Sequence, residues 1–248
     1  MIELGLWVIL LLLLAAFVAG YIDTLVGGGG LIVIPALLAA GIPPIVALGT
    51  NKLQAVGGSG TATVTLWLKQ QFTLSELKLL MPAAFIGAAV GTLAVQHIDA
   101  QTLDFVVPTV IILIALYFIV SPIIKLPPAT RMSEPQYAGS AVPLIGFYDG
   151  MFGPATGSFF VLAGSALRGQ GIVVATKHAK PLNFATNAAS LCVFIYAGQV
   201  IWLLGGLMFV GQFLGARLGA QALMSINPEL LRYLVIALCL LMLLSLLL

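Results

Sequence analysis

Long apolar runs alternate with short polar interruptions along this chain, and the run lengths predict its elements. Residues 4 to 26 form a long apolar run, enough for a membrane-spanning helix of about 20 residues. Glu3 precedes the run, with no basic segment before it and no small-residue cleavage site after it, so it reads as a retained first helix and not as a signal peptide. Residues 31 to 41 form a second, much shorter run between Gly27–Gly30 and Gly41–Pro44, too short for an ordinary span. A long helix is predicted over 45 to 68 with Lys52 inside it, ended by the polar stretch Lys69 to Lys78. Further runs cover 79 to 96 and 103 to 121, parted by His97 to Gln101, and the polar connector Lys125 to Gln136 divides the chain almost in half.

The second half repeats this pattern. A shift of 126 lays Gly146, Asp149 and Gly153 over Gly20, Asp23 and Gly27, so that G-F-Y-D-G-M-F-G-P-A-T-G matches G-Y-I-D-T-L-V-G-G-G-G-L. After a two-residue insertion the shift is 128, pairing Lys180 with Lys52, Asn187 with Ser59, and Leu231 and Tyr233 with Leu103 and Phe105. It also lays G-A-R-L-G at 215 to 219 over G-A-A-V-G at 87 to 91, spaced glycines that read as helix-packing faces. Whether the short run of each half crosses the membrane or folds back, the number of crossings per half is odd, which makes the halves inverted. The expectation is an all-α polytopic membrane protein of two inverted repeats, each with a Gly-broken or re-entrant first helix pair plus three transmembrane helices. Residues 1–124 form the first repeat, 125–136 a cytoplasmic linker and 137–248 the second repeat.

Composition agrees. The chain is 61% hydrophobic and 7% charged, against about 25% charged in a soluble domain, which excludes a nucleic-acid-binding or soluble globular protein. Its charges are unevenly placed: Lys69, Lys78, Lys125, Arg131, Arg168 and Arg232 fall on one predicted side, and Glu3, His97, Asp99 and Asp104 on the other. The positive-inside rule puts the first side in the cytoplasm and both termini outside. Cys192 and Cys239 both fall in apolar runs and are expected to be small buried hydrophobes, with no disulfide and no metal.

Seven ionisable residues remain inside predicted spans, where a charge costs about 2.5–3.5 kcal/mol and marks a candidate functional position: Asp23, Lys52, Asp149, Lys177, His178, Lys180 and Arg217. Lys52 and Lys180 enter from opposite sides and reach similar depth, about 12–14 Å at 1.5 Å per residue. Around them stand Thr50, Asn51, Gln54 and Ser59 in one half, and Asn183, Thr186, Asn187 and Ser190 in the other. Two lysines among uncharged hydrogen-bonding groups suit a small oxyanion. Four adjacent glycines, Gly27, Gly28, Gly29 and Gly30, break a helix and free backbone N–H groups that favour negative charge. Gly153, Pro154, Thr156 and Gly157 make the equivalent break. Asp23 and Asp149 read as helix caps, lysine counter-ions or proton carriers, and His178 as a proton relay or a polar helix-face residue. Lys177 and Arg217 read as snorkelling side chains, or Arg217 as a carboxylate partner.

The glycine-broken motif with A-L-G-T-N-K in the first half, and G-F-Y-D-G-M-F-G-P-A-T-G-S-F with L-N-F-A-T-N-A-A-S-L in the second, strongly resemble the TauE/SafE family of sulfite exporters over essentially the whole chain. The resemblance implies a multi-pass bacterial inner-membrane transporter of small sulfur-containing or sulfonated organic anions, with two repeat-related bundles and a shared central path. It points to Gly27–Gly30, Pro35, Thr50, Asn51 and Lys52, and to Asp149, Gly153, Thr156, Gly157, Lys180, Asn183, Asn187 and Ser190. Ala155 departs from it, standing where a glycine is common. The implied partners are a small anionic substrate and the lipid bilayer, with no nucleic acid and no cofactor; a homodimer is compatible with the sequence.

Two other classes compete. A cation transporter or channel would use Asp23 and Asp149 as ligands, but two lysines at the same depth oppose a bound cation. An intramembrane aspartyl protease would need those carboxylates as a dyad, without the G-x-G-D context such enzymes show. The chain carries no H-E-x-x-H, P-loop or metal-ligand cluster, so no enzymatic activity is expected.

Overall fold

The computed structural model describes residues 5–120 and 130–224. Within them the chain is helical: α1 Leu6–Val26, α2 Gly30–Ala39, α3 Pro44–Leu68, a 3-10 turn Leu74–Leu77, α4 Leu80–Val95, α5 Ala100–Val120, α6 Glu134–Gly139, α7 Ala141–Met151, α8 Thr156–Arg168, α9 Ile172–Tyr196 and α10 Trp202–Leu223. Helices satisfy every backbone group internally, which a chain in hydrocarbon requires. By length and composition alone, two stretches among the described residues qualify as spans, Leu6–Leu25 with mean hydropathy 2.4 and Trp202–Leu223 with mean hydropathy 1.3. Lys125, Arg232, Glu3, Cys239, Leu231 and Tyr233 lie outside the described residues.

The short elements fold back. A helix of 11 residues, like α7, is about 16 Å long, roughly half the hydrocarbon thickness. The chain entering α6 and α7 is tied to the end of α8, where Arg131 and Met132 both donate backbone N–H to the Leu167 carbonyl at 2.9 Å. The α7–α8 pair therefore enters and leaves on one side. In the first half, Leu37 and Ile42 near the end of α2 cluster with Leu12 near the start of α1, the same hairpin sense.

Glycines set the seams between helices. Gly215 sits on the Phe17 carbonyl and Gly219 on the Tyr21 carbonyl, leaving no room for a Cβ and making α1 and α10 parallel. Gly87 on Pro143 and Gly91 on Phe147 join α4 and α7 in the same way, so both spaced-glycine motifs serve packing. Between the long helices the order reverses: Gly49 lies against Phe194 and Gly60 against Phe184, so α3 and α9 are antiparallel.

One expectation needs correction. Cys192 is a free thiol on the outside of the bundle, not a buried hydrophobe, because its stretch of α9 turns that face away from the packed neighbours. Within the polar connector, Ser133 caps α6 in a reciprocal box with Gln136, so a helix starts before residue 137.

Candidate functional site

The site is built on two helix breaks. At the end of α1, Gly27 takes φ 91° and donates its N–H to the Asp23 carbonyl at 2.7 Å. At the end of α7, Gly153 takes φ 93°, the same left-handed conformation at the repeat-equivalent position. Glycine reaches it without the steric cost a Cβ imposes. The breaks then diverge, because Ala155 is left-handed at φ 61° whereas Gly29, its counterpart, is right-handed at φ −57°.

Each break has an aspartate bonded across it. Asp23 Oδ1 accepts the Gly29 N–H at 3.0 Å, and Asp149 Oδ1 accepts the Thr156 hydroxyl at 2.7 Å. Asp23 thus bonds a main-chain N–H, as a helix cap does, whereas Asp149 bonds a side-chain hydroxyl.

The lysines cross over. Lys52 and Lys180 are each the ninth residue of a 25-residue helix, α3 and α9, and both are fully buried. Lys52 Nζ donates to the Asp149 carbonyl at 2.7 Å and lies 2.9 Å from its Oδ1. Lys180 Nζ donates to the Asp23 carbonyl. Each lysine therefore holds the helix break of the opposite half. The two arrangements are not identical, since a direct ion pair to the carboxylate is recorded for Lys52 alone among the described residues.

Between the breaks lies a small cavity of about 20 Å³, enough for roughly one water molecule. Gly30 and Thr156, the first residues of α2 and α8, both line it, so two helix N-termini converge there. Asp23, Gly27, Gly153 and Gly157 complete the walls contributed by the breaks. From the long helices come Asn51, Gln54, Asn183 and Asn187, with Gln212 from α10. Asn187 Nδ2 donates to the Asn183 carbonyl at 2.8 Å, and Gln54 Nε2 to Asn51 Oδ1 at 2.8 Å. Gln54 Oε1, Gln212 Oε1 and Asp149 Oδ2 are buried without a hydrogen-bond partner.

Other expected site residues stand away from this cavity. Gly28 and Gly29 belong to the break but do not face the cavity. Thr50 Oγ1 accepts the Ile201 N–H at 3.1 Å and anchors the start of α10. Ser190 bonds back to the Thr186 carbonyl within α9. His178 sits in a separate cavity of about 170 Å³, 3.2 Å from Glu76 and 3.0 Å from Gln170. Lys177 reaches the polar turn after α3, where it donates to Gln71 Oε1 at 2.6 Å. Gln212 went unread in the sequence; its signal was a single amide in the otherwise apolar stretch 201 to 214.

Long apolar helices around a buried, charged and amide-lined centre define a multi-pass membrane transporter class. Comparison with known proteins gives the family. A family model described as Sulfite exporter TauE/SafE matches residues 12–246, and the chain belongs to that family. It is 44% identical over 226 residues to a probable membrane transporter protein, YfcA, of Escherichia coli K12, covering 91% of this chain and 84% of that protein. A probable membrane transporter protein of Haemophilus influenzae is 42% identical over 237 residues, covering 94% and 92%. The probable membrane transporter protein ORF9 of a Sinorhizobium species is 41% identical over 235 residues, covering 94% and 90%. No solved structure matches this chain.

Proposed function

We propose that this protein is a secondary transporter exporting small sulfur-containing or sulfonated organic anions, such as sulfite, by alternating access around the central cavity. The observation that carries this reading is the convergence of two helix N-termini, at Gly30 and Thr156, on one buried cavity. Each N-terminus presents the positive end of a helix dipole to an anion. Asn51, Asn183 and Asn187 add amide groups, and Lys52 and Lys180, which do not line the cavity, add positive charge behind it through their bonds to Asp149 and Asp23.

A cavity of about 20 Å³ is closed to such a substrate. Opening requires the halves to separate, which loosens Lys52 from Asp149 and Lys180 from the Asp23 carbonyl and frees both ammonium groups for the anion. The antiparallel α3 and α9 support reading the halves as inverted repeats that rock against each other. Contacts gather Gln71, Glu76, Arg168 and His178 at one end, so the basic residues Lys69, Arg131, Arg168 and Lys177 support placing that end in the cytoplasm and both termini outside.

One observation favours a cation instead: the unpartnered oxygens of Gln54, Gln212 and Asp149. Two buried ammonium groups oppose it, and a half-turn of the Gln212 amide presents N–H₂ in place of oxygen. The aspartyl protease reading gains no support, because each carboxylate is engaged at its own break. The test is flux of labelled sulfite and sulfonates in vesicles for the wild type, Lys52→Gln and Lys180→Gln. Anion flux lost in the variants supports the reading, and flux unchanged in both rejects the lysine site. Sodium or proton flux without anion flux would favour the cation alternative.

A further inference from the structure

A groove of about 770 Å³ runs along the outside of the bundle where α3 and α10 lie side by side, with one residue of α9 at its back. Gly57 and Gly60 form its floor: a Cβ at Gly57 would meet the Phe209 ring, and one at Gly60 the Phe184 ring. Those rings and Phe213 make apolar walls, while Val64 and Leu68 along the edge are exposed. Gly205 packs on Leu53 and Gly57 on Phe209, so α3 and α10 run parallel and end together, at Leu68 and Leu223.

At that shared end the groove becomes cationic. Lys69 and Arg217 both line it, and both are exposed. Arg217 lies six positions before Leu223, about 9 Å below the helix end, within snorkelling reach of the level of Lys69. Among the described residues the ion pairs are Lys52–Asp149 and Glu76–His178, so neither groove cation has an acidic partner there. A helix-face arginine in hydrocarbon without a counter-ion is costly, and a ligand carrying negative charge at this depth removes that cost.

We propose that this groove binds an anionic phospholipid of the leaflet in which α3 and α10 end. The phosphate pairs with Arg217 and Lys69, and an acyl chain lies over Gly57 and Gly60 between the phenylalanine rings. Charge selects the occupant: an apolar channel closed at one end by two cations that have no acidic partner among the described residues complements an amphiphile with an anionic head. The proposal rests on the membrane location of the family and not on the transported substrate, so the two readings stand or fall separately.

The experiment uses the purified full chain in detergent, supplied with phosphatidylglycerol or with phosphatidylcholine, reading bound lipid by native mass spectrometry and melting temperature in parallel. The wild type is expected to retain phosphatidylglycerol in preference and to gain melting temperature from it. Arg217→Gln and Lys69→Gln each reduce that preference about five-fold, and the double variant about 25-fold. Arg217→Lys keeps most of it, and Val64→Trp, which obstructs the groove from an exposed position, loses both lipids. Equal retention of the two lipids by the wild type, or undiminished preference in the double variant, overturns the proposal. So does a Val64→Trp variant that turns a dimer into a monomer while binding phosphatidylglycerol as before, because the groove would then hold a second copy of the chain.

Discussion

Lys52 and Asp149 are 97 positions apart in sequence, yet the Lys52 ammonium lies 2.7 Å from the Asp149 carbonyl and 2.9 Å from its carboxylate, with both side chains 1% exposed. Lys180 reaches the Asp23 carbonyl in the same crossed sense. The two helix breaks are thus each held by the long helix of the other half.

Removing one member of the buried pair leaves the other charge uncompensated. Lys52→Met is expected to cost about 3–5 kcal/mol, and the double variant Lys52→Met/Asp149→Asn to recover a substantial part of it. Lys180→Met should cost less, because its recorded partner is a carbonyl and not a carboxylate. Denaturant unfolding of the four proteins in one detergent checks the order.

Gly153 and Ala155 make opposite demands at the second break. Gly153→Ala places a side chain at φ 93° and is expected to cost about 1–3 kcal/mol from strain, since the nearest atom to its Cβ, the Lys52 ammonium, is 3.5 Å away. Ala155→Gly at φ 61° relieves strain and should leave stability within about 1 kcal/mol of the wild type. Melting temperatures that fall equally in both variants would contradict this.

Gln212 lines the cavity from α10 with its amide oxygen unpartnered, so it contributes polarity that the fold does not consume. Gln212→Leu should fold at least as stably as the wild type and lose about ten-fold in anion flux, the worth of one buried hydrogen bond. Flux in vesicles, set beside melting temperature, separates this from a folding defect.

Glu76, on the turn after α3, is held below its ordinary value of 4.5, chiefly by a hydrogen bond to Thr73 and further by His178. A depressed folded-state value means stability present above pH 4.5 and lost as the pH falls through the lowered value. The wild type should therefore melt slightly above Glu76→Gln at pH 7, with the difference closing on acidification below 4.5; because Glu76 is about half exposed, the gap is small and shrinks with salt. A gap that widens on acidification would reverse the sign.

Much of this was legible in the chain. Helix lengths follow from the run lengths because hydrocarbon leaves the backbone no alternative, so α3 and α4 begin and end within a residue or so of the predicted runs. The repeat placed Lys52 and Lys180 at matching positions, and Gly27 with Gly153 at matching breaks, because a left-handed residue without a Cβ is a local requirement that sequence states directly. What the lysines touch was not legible. Periodicity and spacing give depth along a helix but not the neighbour across it, so only tertiary packing decided that each lysine caps the opposite break, that His178 faces Glu76 and not the centre, and that Gln212 faces the cavity. The sequence by itself determined a membrane chain of two like halves with buried charge. The tertiary structure decided how the halves interlock, because that depends on which helix faces meet, and the glycine seams at Gly87, Gly91, Gly215 and Gly219 draw those faces together.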